Sequence, residues 1–516
     1  MFLYDNQKGT TAQIISYKTV SVKYKNMYLI GYDVGSSSVK ASIVEVSGGT
    51  VVAEDFYPKS EMPIAAPQAG WAEQDPCVWW DNLLLAHRSV MHASGIDPSK
   101  VKAVGISCQM HGLILVDRDM ELLRPSIIWC DSRAVPYGEK ALDGIGKERL
   151  LPHTLNSPGN FTAAKLAWVK DNEPRIYERI HKFMFPGDYI GMRMTGEICT
   201  TVEGLSGGIL WDFRRNKLSD DVMDYFGFDP SLVPDIVPVF GIQGGLSRAA
   251  AKELGLKEGT PVAYRAGDMP NTALSLNVLH AGEVAATAGT SGVVYGISEQ
   301  VCYDPLSRLN TFAHVNHTDA HTSLGVLLCL NGAGILNSWL RHNVALSEMS
   351  YDDMNRLAGD SPIGAGGISI LPFGNGAERM LGNRDTGCSV HGVNYNIHTR
   401  GDLFRAAQEG IAFSFKYGID IMREIGLSVR VIRAGCANMF QSALFRQALA
   451  DLNDAVIELY DTNGAAGAAR GAGIGIGIYK SPEEAFGSLR KIAVIEPDIE
   501  NKARYLEAYS RWKAFL

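Results

Sequence analysis

The chain has 516 residues, of which 46% are hydrophobic and 20% charged, and its formal net charge is −8. This length exceeds what a single hydrophobic core organises and predicts two large domains of ordinary globular composition. The negative charge excludes a nucleic-acid binder that relies on a generally basic surface. No apolar stretch approaches the roughly 20 residues that a membrane-spanning helix needs. We therefore expect a cytoplasmic protein without a membrane or nucleic-acid partner.

The first 26 residues carry no targeting signal. Residues 1–26 lack the basic start, apolar core and small-residue cleavage site of a signal peptide. We expect them to be a disordered extension or an upstream mis-start, with the first core strand beginning at Met27. The eight cysteines are scattered singly, without CxxC pairs, which predicts reduced thiols.

The segment 27–41, MYLIGYDVGSSSVKA, reads as a strand, a tight turn and a second strand. Its turn contains Gly35, Ser36 and Ser37, whose backbone N–H groups and hydroxyls can meet phosphate oxygens. The carboxylate of Asp33 stands beside the turn, where it can hold a metal ion. Asp-x-Gly turns are also common in ordinary hairpins, so the segment alone does not establish a phosphate site.

A helix is predicted from Asp75 to Gly95, because an N-cap acid followed by proline opens it and a glycine ends it. Residues 101–107 then form a buried strand. The loop after this strand, Met110, His111 and Gly112, presents an imidazole and backbone groups that can bind the hydroxyls of a polyol.

Further strands are predicted at residues 126–129 and 261–264, with a helix at 163–170 between them. The last of these strands leads to Asp268 in the sequence RAGDMPN. A carboxylate there can take the proton of an attacking hydroxyl. It can equally serve as a helix N-cap, since Pro270 fits just inside a helix start. The residues alone give both readings the same weight.

A second phosphate-type turn opens the other half of the chain. Gly289, Thr290 and Ser291 stand between two apolar runs within residues 285–297. Two such turns predict a duplicated fold that holds a nucleotide between its halves. The alternation of strands and helices continues to residue 479, which predicts the α/β class with mainly parallel core strands.

Three other patterns compete as functional sites. Residues 204–208 match the hydrolase motif GxSxG, but no convincing strand precedes them. The glycine run at 471–477 departs from GxGxxG and is better explained as a helix face that permits close approach. His314, His317 and His321 lack further ligands at zinc spacing, which favours a structural interpretation.

The order of these motifs and their residues resemble those of the FGGY family of carbohydrate kinases. The resemblance runs from residue 27 to about residue 480 and includes YDVGSSSVKA, GISCQMHGLIL, SIIWCDSRA, DYIGMRMTGE and AGTSGVVYGI. The family's first signature corresponds to residues 161–172, FTAAKLAWVKDN. The resemblance implies two duplicated ribonuclease-H-like domains of the actin/hexokinase type. Residues 27–278 would bind the sugar, residues 282–516 would bind the nucleotide, and a cleft would lie between them.

The resemblance also implies a role for each matching residue, with ATP and Mg²⁺ as cofactors. Asp268 would be the catalytic base, and Asp33 would position the magnesium ion. The implied sugar ligands are Met110, His111, Gly112, Asn271 and Asp268 itself. The implied nucleotide contacts are Gly35, Ser36, Ser37, Gly289, Thr290, Ser291, Gly332, Gly435, Cys436 and Asn438.

The Gln-Met-His-Gly loop is similar to that of family members that phosphorylate D-xylulose, whereas glycerol-specific members carry an Arg-Glu pair there. This implies phosphorylation of D-xylulose to D-xylulose 5-phosphate in pentose catabolism. Two departures are RAGDMPNTA in place of GGGDNAAGA around the base, and AGCANMF in the adenine loop. The alternatives are a kinase for L-ribulose, D-ribulose, L-fuculose or a polyol, or a non-catalytic sugar sensor. A homodimer is one option for the assembly.

Overall fold

The computed structural model describes residues 26–516. The extension expected at the N-terminus therefore lies outside the described residues, apart from Asn26. None of the helices within residues 26–516 is both long and apolar enough to cross a membrane. All eight cysteines are free thiols, as predicted.

The N-terminal half is built on a five-stranded sheet. Tyr28–Val34 pairs antiparallel with Val39–Glu45, which pairs antiparallel with Val51–Tyr57. On its other side Tyr28–Val34 pairs parallel with Val101–Cys108, and that strand pairs parallel with Val262–Gly267. The parallel strands are buried almost throughout because helices cover both faces of the sheet.

The C-terminal half repeats this pattern in a seven-stranded sheet. The antiparallel strands are Leu324–Leu330, Gly292–Ser298 and Gly282–Ala288, in that spatial order. Val429–Gly435 and Val456–Tyr460 follow in parallel. Asn310–Ala313 and Lys491–Ile495 extend the two edges antiparallel. Three antiparallel strands followed by two parallel ones in both sheets confirm the duplicated α/β fold.

Shorter strands form two-stranded pairs outside the two sheets. They are Glu73–Gln74 with Ser126–Ile127, Ile114–Val116 with Lys182–Met184, Cys199–Thr200 with Asp235–Ile236, Trp211–Asp212 with Lys217–Leu218, and Ser369–Phe373 with Gly387–His391.

The helices cover the sheets and fill the space between them. In the first half they are Pro76–Ser94, Val135–Ile145, Lys147–Thr154, Thr162–Asn172, Pro174–Tyr177, Pro186–Thr195, Val202–Gly207, Asp220–Phe226, Arg248–Leu254 and Asp268–Ser275. In the second half they are Gly334–Asn343, Tyr351–Asp360, Arg400–Glu424, Ala443–Asn453, Gly464–Gly475, Pro482–Phe486 and Ile499–Lys513.

Most predicted elements are confirmed with small shifts at their ends. The helix Pro76–Ser94 begins after Asp75, whose side chain accepts from the Cys77 N–H, and ends at Gly95 with φ 61°. The predicted alternation of strands and helices reaches residue 479, and its last helix, Gly464–Gly475, ends four residues earlier. Such end shifts arise because caps and tertiary contacts, rather than composition, set where a helix stops.

One helix of the C-terminal half packs on the sheet of the N-terminal half. Gly464–Gly475 lies across the strands that contain Gly31 and Gly105. A Cβ on Gly31 would stand 1.9 Å from the Ala465 carbonyl oxygen, and one on Gly105 would stand 2.0 Å from that of Ala468. Only glycine allows the helix backbone to come this close to the sheet.

Polar contacts and an apolar cluster join the two halves elsewhere. The side chain of Asn156 makes two hydrogen bonds to the backbone of Thr311. Its Nδ2 donates to the carbonyl oxygen at 2.6 Å, and its Oδ1 accepts from the N–H at 2.9 Å. The Ser206 hydroxyl accepts from the Ala313 N–H at 3.0 Å. A buried cluster that includes Phe161 and Phe312 fills the space between these contacts. The two halves therefore meet along one edge and enclose a cleft.

Candidate active site

The two carboxylates singled out by the sequence lie at the same edge of the N-terminal sheet. Asp33 is the last residue but one of Tyr28–Val34, and Asp268 directly follows Val262–Gly267. These strands run parallel to Val101–Cys108 on either side of it, so their carboxyl ends meet. The Ser107 hydroxyl donates to Asp33 Oδ1 at 3.0 Å, and Lys40 Nζ lies 3.4 Å from Oδ2. Asp33 and Asp268 are both partly buried.

The environment of Asp268 suits a proton acceptor. The residue is the first of the helix Asp268–Ser275, and Gly267 is its N-cap. Burial, together with the negative charge of Asp33, raises the pKa of Asp268 to about 7. At neutral pH, a base with a pKa near 7 is ionised in a large fraction of the molecules and still binds the proton strongly enough to remove it from a hydroxyl.

The loop after Val101–Cys108 holds His111 in a defined orientation. His111 has φ 64°, and its Nδ1 lies 2.8 Å from the Gly207 carbonyl oxygen. A carbonyl only accepts, so Nδ1 carries the hydrogen. Burial lowers the pKa of His111 to about 3, which keeps the imidazole neutral. Its Nε2 is therefore an acceptor, and no protein partner occupies it within residues 26–516.

Three side chains fix this loop from outside. The ammonium of Lys165 donates to the carbonyl oxygens of His111 at 2.8 Å and Ile128 at 2.9 Å. Phe161 meets the imidazole edge-on at 4.7 Å between ring centroids, and Phe312 lies at 5.2 Å. Since Phe312 belongs to the C-terminal half, both halves form the wall around His111.

The second turn borders a large cavity in the C-terminal half. The Gly334 and Ile335 N–H groups hold the turn by donating to the carbonyls of Gly289 and Thr290. Thr290 and Ser291 are exposed. The cavity has a volume of about 680 Å³. Its lining comprises Ala288, Gly289, Thr290, Gly334, Ile335, Asn337, Ser338, Tyr351, Asp352, Asn355, Ala437, Asn438, Met439, Gln441 and Ser442.

Comparison with known proteins gives the family. The FGGY N-terminal domain of carbohydrate kinases matches residues 28–275, and the FGGY C-terminal domain matches residues 284–475. The xylulose kinase of Bacillus subtilis is 30% identical over 497 residues, covering 94% of this chain and 96% of that protein. The chain belongs to the FGGY family of carbohydrate kinases.

Other relatives agree over nearly the full length. The xylulose kinase of Escherichia coli is 29% identical over 485 residues, covering 92% of this chain and 96% of that protein. The crystal structure of a xylulose kinase from Rhodospirillum rubrum is 26% identical with a TM-score of 0.84, covering 95% of this chain and 98% of the other. Membership implies that a sugar and ATP are the substrates of this kinase.

Three of the predicted nucleotide contacts lie in one cavity. Gly289, Thr290 and Asn438 line one cavity, and a Cβ on Gly289 would stand 3.4 Å from Asn438 Nδ2. Gly435 ends a strand next to this cavity, and Cys436 follows it with an exposed thiol.

The first turn offers fewer free groups than predicted. The Gly35 N–H donates to the Ser38 carbonyl at 3.0 Å, so it is used within the turn. The carbonyl of Ser36 accepts from Gln74, and its hydroxyl lies 3.4 Å from Trp129 Nε1. Ser37 is exposed.

Three predicted residues make close contacts within the protein. Gly332 is buried, and its N–H donates to Glu378 at 2.8 Å, whereas Gly334 borders the cavity instead. Asn271 is fully buried between the halves, donating to the Gly464 carbonyl at 2.8 Å and accepting from a tyrosine hydroxyl. A Cβ on Gly112 would stand 2.8 Å from Pro186 Cγ, so this glycine serves close packing.

Residues that sequence reasoning missed complete the site. Lys165 lies inside the family signature at residues 161–172, and this position was the only indication in the sequence that it belongs to the site. Trp129, in the motif SIIWCDSRA, is half exposed beside the first turn. Phe312 and Tyr351 carried no signal, because only tertiary packing brings them to the cleft.

The competing patterns are structural. Ser206 is buried, donates to the Glu203 carbonyl at 2.8 Å and sits in a helix, so it is no hydrolase nucleophile. His314 is fully buried between Tyr295 and Val278. No group of three or more His, Cys, Asp or Glu side chains suited to a metal ion occurs in the described part of the chain.

Proposed function

We propose that the protein transfers the γ-phosphoryl group of ATP to D-xylulose and forms D-xylulose 5-phosphate. The neutral imidazole of His111, with Nδ1 held by Gly207 and Nε2 free, is the observation that carries the sugar assignment. The curated relatives with 28–30% identity are named xylulose kinases, which supports the same substrate. The cytoplasmic location and the homodimer remain predictions.

In this proposal the sugar lies against the N-terminal half. His111 Nε2 accepts a hydrogen bond from one sugar hydroxyl, and the aromatic rings around it exclude water. Asp268 accepts the proton of the terminal hydroxyl as that oxygen attacks the γ-phosphorus. Phosphoryl transfer depends mainly on position and charge, so the protein needs no covalent intermediate. Closure of the cleft keeps water from acting as the acceptor.

Asp33 fits a magnesium ligand. Mg²⁺ is commonly held by one or two carboxylates together with substrate phosphates and water, so one carboxylate at the cleft suffices. Asp33 Oδ1 accepts from the Ser107 hydroxyl, while Oδ2 lies 3.4 Å from Nζ of the exposed Lys40. When bound, Mg²⁺ would neutralise charge on the transferring phosphoryl group.

A comparison of acceptors tests the substrate. The ratio kcat/KM is measured for D-xylulose, L-ribulose, D-ribulose, L-fuculose and glycerol under the same conditions. D-xylulose is expected to exceed each of the others by about tenfold or more, equivalent to ~1.4 kcal/mol of transition-state binding. Another ketose with that advantage would replace D-xylulose and leave the fold and the kinase activity unaffected.

The role of His111 is tested with His111→Asn. Asparagine tolerates positive φ and keeps a donor for the Gly207 carbonyl, but it lacks the atom equivalent to Nε2. We expect KM for the sugar to rise by about tenfold, the order of one lost hydrogen bond, with KM for ATP unchanged. Equal rises in both constants would indicate a defect in folding or closure instead.

The magnesium assignment is tested with Asp33→Ala. Loss of the carboxylate should raise the Mg²⁺ concentration needed for half-maximal activity and lower kcat, because the ion loses its protein anchor. The order of preference among the sugars should stay the same. A changed sugar preference with an unchanged Mg²⁺ requirement would contradict the assignment.

The pH dependence of kcat/KM for the sugar reports on Asp268. The base accepts a proton only when ionised, and its pKa is about 7, so activity should fall as the pH drops below about 7 and level off above it. A rate profile measured from about pH 5.5 to 8.5 checks this. A flat profile across that range would exclude a base with a raised pKa.

A further inference from the structure

The buried carboxyl group of Glu203 contacts Gly267, the residue that precedes Asp268. Glu203 lies in the helix Val202–Gly207 and is only 4% exposed. Its Oε2 accepts a hydrogen bond from the Gly267 N–H at 3.1 Å. Gly267 is both the last residue of its strand and the N-cap of the next helix. Glu203 therefore holds the backbone at the point where Asp268 leaves the sheet.

The packing around this contact leaves little freedom. A Cβ on Gly267 would stand 2.5 Å from Met110 Cγ and 3.0 Å from Glu203 Oε1. Met110 is itself buried, and it directly precedes His111. A shift of the Glu203 side chain would therefore displace both the loop that contains His111 and the backbone of Asp268.

The other carboxyl oxygen of Glu203 has no partner among the described residues and lies next to a small cavity. Glu203 Oε1 is buried without a hydrogen-bond partner in residues 26–516, and so is Gln109 Oε1. Both residues line a cavity of about 20 Å³ that also borders Met110, His111 and Gly267. This volume is enough for a single water molecule, and two unpartnered oxygens are acceptors that such a water can satisfy.

We propose that Glu203 is a positioning residue of the kinase site. It holds Gly267, and through it the carboxylate of Asp268, while it shares one buried water with Gln109 behind Met110 and His111. This inference rests on the proposed role of Asp268 as the base. Glu203 itself lies outside the motifs that carried the resemblance.

The charges around Glu203 favour its neutral form. Burial raises the pKa of Glu203 to about 8, the hydrogen bond from Gly267 opposes this, and the nearby carboxylates of Asp188 and Asp268 add to it. Arg265 is the cation in this group, and it pairs with Asp188 at 3.1 Å. The uncharged groups that face Glu203 are the Cys108 thiol and the hydroxyls of Tyr264 and Tyr295. A glutamine side chain therefore matches the neutral acid in shape, in charge and in its acceptor for Gly267.

The inference is tested with Glu203→Leu and Glu203→Gln in the full-length protein. Glu203→Leu should lower kcat by about 10–100-fold with KM for ATP unchanged, because a small misplacement of a reacting group is costly. Glu203→Gln should restore most of the wild-type kcat near neutral pH. If Glu203→Leu is insoluble, Glu203→Ala is judged by the same criteria.

A matched control separates positioning from stability. Glu409 is also a buried carboxyl group that accepts from a backbone N–H, that of Gly364 at 3.1 Å, but it lies in the C-terminal half beside Arg405. Glu409→Gln should lower Tm and leave kcat within about twofold of the wild type. An equal loss of kcat in Glu409→Gln and Glu203→Leu would overturn the inference.

The remaining outcomes separate this inference from the proposed function. Wild-type kcat in Glu203→Leu, or a Glu203→Gln variant as impaired as Glu203→Leu, would overturn the positioning role. A crystal structure should show a water within hydrogen-bond distance of Glu203 Oε1 and Gln109 Oε1, and a dry cavity would overturn that part. If Asp268→Asn keeps wild-type turnover, the proposed base itself is wrong.

Discussion

Asp268→Asn is expected to lower kcat for sugar phosphorylation by about 10²–10⁴-fold, the usual contribution of a positioned general base. The amide keeps the size and the helix-start position of the carboxylate but cannot accept the proton of the attacking hydroxyl. The sugar should still bind, since His111 and the surrounding rings are unchanged. Release of ADP gives kcat, and calorimetric titration with D-xylulose gives the binding constant.

A matched control for this substitution is Asp97→Asn. Asp97 is an exposed acid that caps a short helical turn, with its side chain accepting from the Ser99 N–H. Asp97→Asn should leave kcat unchanged, so any general effect of losing one carboxylate is measured separately. Turnover of Asp268→Asn close to that of the wild type would refute the role of Asp268 as the base.

Gly105→Ala is expected to destabilise the protein by about 3 kcal/mol or more and to lower Tm by about 5 °C or more. The new methyl group would stand 2.0 Å from the Ala468 carbonyl oxygen and 2.6 Å from its carbonyl carbon. These are backbone atoms of the helix Gly464–Gly475, which cannot move aside as a flexible side chain can. The helix must shift away from the sheet, and the link between the two halves weakens.

The control for this prediction is Gly359→Ala. Gly359 lies in the helix Tyr351–Asp360, and a Cβ there meets nothing within 4 Å. Alanine should be neutral or should raise stability by about 0.5–1 kcal/mol, because it has the higher helix propensity. The prediction is tested by measuring Tm and enzyme activity for both variants and for the wild type. A Gly105→Ala variant as stable as the wild type would show that the helix can move without cost.

The local elements of the fold were predictable because short-range physics specifies them. The helix after Asp75 has its cap, its proline and its terminal glycine in the sequence, and all three have the predicted positions. The two turns were recognisable because small residues interrupt apolar runs. The glycine run at 471–477 was correctly interpreted as a surface for close approach, although its partner was not predictable. That partner is the N-terminal sheet, hundreds of residues away along the chain.

The candidate site was predictable where chemistry and motif coincide. Asp33, His111 and Asp268 stand out because a carboxylate or an imidazole lies at or just beyond the end of a buried strand. For Gly332 and Asn271, the sequence does not reveal whether a glycine or an amide in a motif faces a cleft or the interior. The structure shows both of them buried and hydrogen-bonded to protein.

The sequence by itself determined the α/β class, the duplication, the two turns and the three chemical side chains, since each depends on residues that are close in the chain. Tertiary structure alone decided how the halves join and what surrounds the reacting groups. The raised pKa of Asp268 depends on burial and on Asp33. The hydrogen bond that Glu203 accepts from the Gly267 N–H joins residues 64 positions apart in the chain. Such effects arise from distances between atoms, which folding sets and local sequence does not encode.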